Sequence, residues 1–75
     1  MQSTDFELRG EYIALDALLK ATGLASSGGT AKAMVADGLV QVDGQTELRK
    51  TCKIRAGQVV VLGATRIAVR AAPAP

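Results

Sequence analysis

Histidine and tryptophan are absent from this chain, and cysteine, tyrosine and phenylalanine each occur once. A single cysteine excludes an internal disulfide, and without histidine Cys52 lacks the usual partner for a metal site or a nucleophilic catalyst. No run of about 18 apolar residues occurs, and no secretory signal pattern is present. We therefore expect a soluble, cytoplasmic protein with no metal, no cofactor and no membrane partner.

The size of the chain limits what it can bury. Its 75 residues are 48% apolar, and most of that fraction is alanine, valine and leucine. This composition predicts one domain over residues 1–71, followed by a flexible tail at 72–75 that has nothing to pack against. A small aliphatic core leaves little volume for a catalytic pocket, and no paired carboxylates suggest acid–base chemistry. A binding surface is favoured over an enzyme with a small-molecule substrate.

Charge is distributed unevenly along the chain, although the net charge is only +2. Residues 1–24 carry four acids against two bases, whereas residues 25–75 carry seven bases against three acids. Such a domain can turn a basic face towards a polyanion while its other side stays neutral or acidic. The alternative is that the bases only keep a small protein soluble.

Two amphipathic segments predict helices. The first is expected to run to about Thr22 and to end at Gly23, and the second to run from about Gly28 to Asp37 with Ser27 as its cap. Gly38 then ends the second helix. The apolar stripes are Leu15, Leu18 and Leu19 in the first helix and Ala31, Met34 and Val35 in the second.

The other apolar segments predict strands, so the expected fold class is α+β. Asp43-Gly44 is the strongest turn signal in the sequence and predicts a hairpin directly after the second helix. Met1 to Thr4 are expected to be frayed. The predicted strands are residues 5–9, 39–42, 45–48, 59–62 and 66–70.

The start of the second helix, Ser26-Ser27-Gly28-Gly29-Thr30-Ala31-Lys32, suits an anion. Its first backbone N–H groups and positive end can bind phosphate, and Lys32 follows one turn later. Two glycines weaken a helix by roughly 1 kcal/mol each relative to alanine if they count as interior, which requires an explanation. Either a tight approach or a positive φ needs them, or a ribose-phosphate strand must come close to the backbone. A lone lysine such as Lys32 is more often a solvated surface residue than a ligand.

A second candidate region is the basic segment, which we define as residues 49–55. It contains Arg49, Lys50, Lys53 and Arg55 without an acid. The alternative is an edge strand charged against aggregation. Because aromatic residues are scarce, recognition of RNA backbone and shape fits better than stacking of single-stranded bases on rings. We predict that the basic segment and the start of the second helix form one phosphate-binding surface.

Taken in order, several short motifs resemble the YbcJ-like family. This family comprises stand-alone bacterial versions of the RNA-binding domain named after ribosomal protein S-four, also called the alpha-L motif. The resemblance runs from about Phe6 to Val69. The motifs are Leu18-Leu19-Lys20, Gly23-Leu24, Ser27-Gly28-Gly29, Ala31-Lys32, Gly38, Val40-Gln41-Val42-Asp43-Gly44, Glu47-x-Arg49-Lys50, Lys53-Ile54 and Gly57-Gln58-Val59-Val60.

The resemblance implies a fold and a partner. Two helices would pack on a small antiparallel sheet, and a non-enzymatic monomer would bind structured RNA, ribosomal or transfer RNA, with ribosomal or RNA-processing proteins as further partners. The alternative function is a small protein-interaction adaptor in a ribosome-associated or RNA-processing complex, which would use an apolar or acidic face near Asp5, Glu7 and Glu11. The implied RNA contacts are Ser26, Ser27, Gly28, Gly29, Lys32, Arg49, Lys50, Lys53 and Arg55.

Overall fold

Two short helices form where the apolar stripes predict them. In the computed structural model, which describes residues 2–73, α1 spans Leu15–Ala21 and α2 spans Gly28–Ala36. Gly23 adopts a φ of 81° just beyond α1, and Gly38 a φ of 75° just beyond α2. Glycine accepts these left-handed conformations without strain, so both helices end at the predicted residues.

Seven strands complete the fold, and five of them form one sheet in the order β1-β7-β6-β3-β4. The remaining two, β2 and β5, pair separately with each other. The strands are β1 (Gln2–Leu8), β2 (Ile13–Ala14), β3 (Val40–Val42), β4 (Gln45–Thr46), β5 (Lys53–Ile54), β6 (Val59–Leu62) and β7 (Thr65–Ala71).

The first strand begins earlier than the sequence indicates. The expectation of a frayed start is wrong for residues 2–4, which belong to β1, and Met1 lies outside the described residues. β1 pairs in parallel with β7, with Gln2 opposite Thr65 and Leu8 opposite Ala71. Gln2 to Thr4 show no apolar alternation, so the distant partner strand, and not the local pattern, orders them.

The α+β fold with two helices and a small sheet is confirmed. The sheet is mixed, however, because the parallel β1–β7 pair joins a sheet whose other pairs are antiparallel. The predicted hairpin forms between β3 and β4, where Asp43 and Gly44 both have positive φ, of 51° and 85°. This pair of values matches the hairpin turn that Asp-Gly favours.

The core lies between the helices and one face of the sheet. On β7, Ile67 and Val69 are buried while Arg66 and Arg70 face solvent, as alternation in a half-covered strand requires. The buried cluster consists of Leu8, Leu15, Leu18, Leu19, Ala25, Ala31, Val35, Val40, Ile54, Val60, Ile67 and Val69.

Beyond β7, the backbone N–H of Ala72 donates to the carbonyl of Leu8 at 3.0 Å. Ala74 and Pro75 lie outside the described residues. A domain over 1–71 with a flexible tail at 72–75 therefore stays a prediction. Within residues 2–73, no helix is both long enough and apolar enough to span a bilayer.

Candidate nucleic-acid interface

The start of α2 is capped by its own neighbours. The hydroxyl of Ser27 accepts a hydrogen bond from the backbone N–H of Thr30 at 3.1 Å, as predicted for the cap residue. The Thr30 hydroxyl lies 3.1 Å from that of Ser27 and 3.5 Å from that of Ser26. These contacts occupy the serine side chains and leave the first turn of the helix on the surface.

Nothing in the surrounding structure requires the two glycines of this turn. A Cβ built on Gly28 meets no atom within 4 Å, and one built on Gly29 meets only the Ser27 hydroxyl at 3.9 Å. Neither glycine has a positive φ. Neither crowding nor a left-handed backbone therefore requires these glycines, and the close approach of a ribose-phosphate strand stays a prediction.

Lys32 lies one turn into α2, with an exposed side chain. It forms no ion pair with any residue in the range 2–73. Its ammonium group is thus available to an external anion close to the open first turn.

The basic segment is built into the fold at the beginning of α1. Ala14, the residue before α1, has no side chain that can cap the helix. The carbonyl of Cys52 instead accepts from the N–H of Leu15 at 2.9 Å, and that of Lys50 accepts from the N–H of Asp16 at 3.0 Å. Because two otherwise unsatisfied helix N–H groups depend on these carbonyls, the backbone of the segment is held firmly.

Arg49 forms an ion pair with Glu47, two residues earlier in the chain. Its Nε and Nη2 atoms each donate to a carboxylate oxygen of Glu47 at 3.1 Å, and its backbone N–H donates to the same side chain at 3.0 Å. The Arg49 guanidinium lowers the pKa of Glu47 to about 2. Arg49 therefore brings less uncompensated charge to the surface than its position in the sequence suggests.

The other three cations of the segment have no such partner. Lys50, Lys53 and Arg55 are exposed, and the structure shows no ion pair for them within residues 2–73. Between Arg49 and Lys53, Cys52 is half-buried, and this burial raises the pKa of its thiol. A raised pKa keeps the thiol protonated, which fits a space-filling role better than a reactive one.

Hydrogen bonds through Asp43 and Gln58 hold the C-terminal end of the basic segment. Asp43 accepts from the side-chain amide of Gln58 and from the backbone N–H of Val59, both at 3.0 Å, and these bonds lower the pKa of Asp43. The Gln58 side chain also accepts the backbone N–H of Arg55 at 2.7 Å. The β3–β4 turn is thereby tied to the backbone that presents Arg55.

Tyr12 is a neighbour of the basic segment that the sequence did not reveal. The residue is 46% exposed, and the Lys53 ammonium lies 5.0 Å and the Arg55 guanidinium 5.9 Å from the centroid of its ring. With two aromatic residues in the chain, composition argued against a role for rings in binding. The signal available in the sequence was a lone tyrosine directly before an apolar residue of a short strand.

The two predicted regions are attached to different helices. The basic segment covers the beginning of α1 through the carbonyls of Lys50 and Cys52, whereas the open turn begins α2. That the two regions form one phosphate-binding surface stays a prediction. No hydrogen bond or ion pair among the described residues joins the two regions.

A polar groove of about 450 Å³ separates the β3–β4 hairpin from the basic segment. The groove walls include Gln45, Thr46, Glu47, Arg49, Lys53 and Gln58. Among all the residues described, no group of three or more cysteine or carboxylate side chains could hold a metal ion.

Comparison with known proteins identifies the fold family. The family model of the S4 domain matches residues 6–70 of the chain. This chain belongs to the S4 domain family. It is 51% identical over 49 residues to the Escherichia coli (strain K12) protein named "Putative RNA-binding protein YbcJ". The aligned stretch covers 65% of this chain and 70% of that protein. A Shigella flexneri YbcJ protein matches to the same extent.

The fold of this S4 domain also matches a solved structure. The solution structure of Escherichia coli YbcJ, described as revealing an alpha-L motif involved in RNA binding, superposes with a TM-score of 0.67 at 38% sequence identity. The match covers 93% of this chain and 87% of that chain. The resemblance to the YbcJ-like family is thus confirmed.

Proposed function

We propose that this S4 domain is a non-enzymatic RNA-binding protein. It recognises structured RNA, ribosomal or transfer RNA, through phosphate contacts made by the start of α2 and by the basic segment. It acts in the cytoplasm as a monomer, beside ribosomal or RNA-processing proteins. The family and the names of its relatives support RNA as the ligand.

The observation that carries the proposal is a group of uncompensated cations on a well-held backbone. Lys50, Lys53 and Arg55 are exposed and lack acidic partners within residues 2–73. Helix and strand hydrogen bonds hold their backbone, so binding costs side-chain freedom but little backbone freedom. Cations carried on an ordered backbone suit phosphate contacts, which fix the position of a nucleic acid on a protein.

The start of α2 supports a second group of phosphate contacts. Its open backbone at Gly28 and Gly29 lies one turn before the free ammonium of Lys32. A nucleic-acid strand carries a phosphate at every nucleotide, so one RNA could contact both regions.

The adaptor alternative has less support from the surface. Asp5 lies 3.4 Å from Arg70, and Glu7 lies 3.9 Å from Arg9. These arginines reduce the negative charge of the acidic face near Asp5 and Glu7 that an adaptor would use. The charges therefore favour RNA binding.

Charge reversal tests the proposal directly. The double variant Lys50→Glu with Lys53→Glu should weaken binding of a labelled structured RNA at least about tenfold at physiological salt. The negative slope of the logarithm of the association constant against log salt should become shallower by about two. Fluorescence anisotropy across a salt series measures both quantities. The thermal midpoint should stay nearly unchanged, because both side chains are exposed.

The matched control reverses two charges outside the proposed interface, one directly after β1 and one on β7. Arg9→Glu with Arg66→Glu alters exposed side chains next to or within β1 and β7 and should leave the salt slope within about half a unit of the unaltered protein. Equal losses in the two double variants would mean that only net charge matters. Binding that survives the Lys50 and Lys53 reversals would refute the assigned interface.

A further inference from the structure

Tyr12 combines exposure with two neighbouring cations. It is the single tyrosine of the chain, and nearly half of its surface is open to solvent although Lys53 and Arg55 both approach its ring. The other aromatic residue, Phe6, packs against the core. Exposure alone is ordinary for a surface side chain, but the two cations beside the ring make this position distinctive.

A small rigid frame presents this ring. Ile13, the next residue, pairs with Ile54 in the β2–β5 ladder, and Ile54 is fully buried. Lys53 and Arg55 flank Ile54, so alternation along the strand turns both of them away from the core, towards the ring. The ring and the two cations are therefore positioned by the half-buried Ile13 on one strand and the buried Ile54 on the other.

The chemistry of this cluster matches one nucleotide step of RNA. Unpaired bases stack on exposed aromatic rings, and the adjoining phosphates need cations. A phosphate attracts an ammonium or guanidinium group more strongly than a ring does, since it carries a full charge. Bound phosphates would draw Lys53 and Arg55 from the ring and leave its face to a base.

We propose that Tyr12 is the stacking site for an unpaired nucleobase, with Lys53 and Arg55 on the flanking phosphates. This inference rests on the proposed RNA-binding function and deepens it: the RNA contains a bulge, a loop or another unpaired position. It also revises the expectation that the domain reads RNA through backbone and shape alone.

Tyrosine fluorescence tests the stacking in the unaltered protein. Because Tyr12 is the only tyrosine and tryptophan is absent, the emission reports this ring alone. The probes are one RNA hairpin carrying a single-nucleotide bulge and the same hairpin fully paired, each labelled so that anisotropy measures binding separately. We expect strong quenching by the bulged hairpin and little quenching by the paired one, although both bind.

Variants supply the second measurement. Tyr12→Ala should weaken binding of the bulged hairpin by roughly 5- to 150-fold and that of the paired hairpin by about twofold or less. Tyr12→Phe keeps the ring and should bind like the unaltered protein. Leu39→Ala removes a side chain of similar exposure and should change neither affinity.

The salt dependence separates stacking from mere support of the cations. Tyr12→Ala should leave the salt slope unchanged, whereas Lys53→Ala should lower it by about one. A lowered slope in Tyr12→Ala, or equal losses with both hairpins and no quenching, would overturn the stacking site and leave RNA binding standing. Failure of the unaltered protein to bind either hairpin would refute the proposed function itself, and the inference with it.

Discussion

The start of α2 and the basic segment are both candidate phosphate sites, but they are organised differently. Every described side-chain hydrogen bond at the start of α2 joins residues at most four positions apart, such as Ser27 and Thr30. The basic segment is held by partners far away in the chain, including Leu15 and Ile13. A site held by short-range contacts depends on helix propensity and capping, whereas a site held by long-range contacts depends on the whole core.

The largest expected effect comes from breaking the long-range frame. Ile54 is fully buried, so Ile54→Ala should lower the free energy of unfolding by about 2–5 kcal/mol. Urea denaturation measures this loss. Leu39→Ala, at a residue that is 54% exposed, is the control and should stay within about 0.5 kcal/mol of the unaltered protein. Similar losses at both positions would show that the basic segment does not depend on the core.

A smaller effect of opposite sign is expected at the start of α2. Gly28→Ala and Gly29→Ala should each raise the free energy of unfolding by about 0.4–1 kcal/mol, because the sites have room and an ordinary φ. They should also weaken RNA binding, since the added methyl groups cover the open backbone. Thermal denaturation and anisotropy measure the two changes.

Gly23→Ala provides the control for this pair, because Gly23 has a φ of 81°. It should lower the free energy of unfolding by about 1 kcal/mol. If the α2 variants were more stable and bound RNA normally, the open turn would have no part in binding.

The smallest expected effect is the pH dependence of the Glu47–Arg49 pair. The folded pKa of Glu47, about 2, lies below its ordinary value of 4.5. The pair therefore stabilises the folded state fully above about pH 4.5, and this contribution is lost as the pH falls towards 2. The gain is small because the side chain of Arg49 is 77% exposed to screening solvent.

Glu47→Gln isolates this contribution, since both proteins share every other titrating group. The unaltered protein should have the higher thermal midpoint near pH 6, and the difference should vanish towards pH 2. A difference that stays constant over this range would mean that the ion pair does not stabilise the fold.

Local sequence patterns predicted much of the fold. The leucine stripe of α1, the Ser27 cap and the Asp43-Gly44 turn all lie where expected, because each involves residues within about one turn of the chain. The strand at Gln2 and the β2–β5 ladder were not predicted, since their partners lie far away in sequence. Pairing across such distances leaves no periodic signal in segments this short.

The candidate site shows the same division. The cations of the basic segment and the glycines of α2 were identifiable from residue type and spacing. The sequence could place Glu47 and Arg49 on the same face of an extended segment, but it could not show that they pair. The contact between Tyr12 and the cations of the basic segment could not be predicted at all. Tyr12 and Arg55 meet because two strand fragments pair over the buried Ile54.

Residue order was thus sufficient for the helices, their ends, the hairpin turn and the uneven charge, because short-range sterics and hydrogen bonds govern all of them. The folded core set the parallel partner of β1, the attachment of the basic segment to the beginning of α1, and the contacts of Tyr12. Burying Leu15 and Ile54 in one cluster brings residues 12–16 against residues 50–55. That packing places a tyrosine beside two cations that lie some forty residues further along the chain.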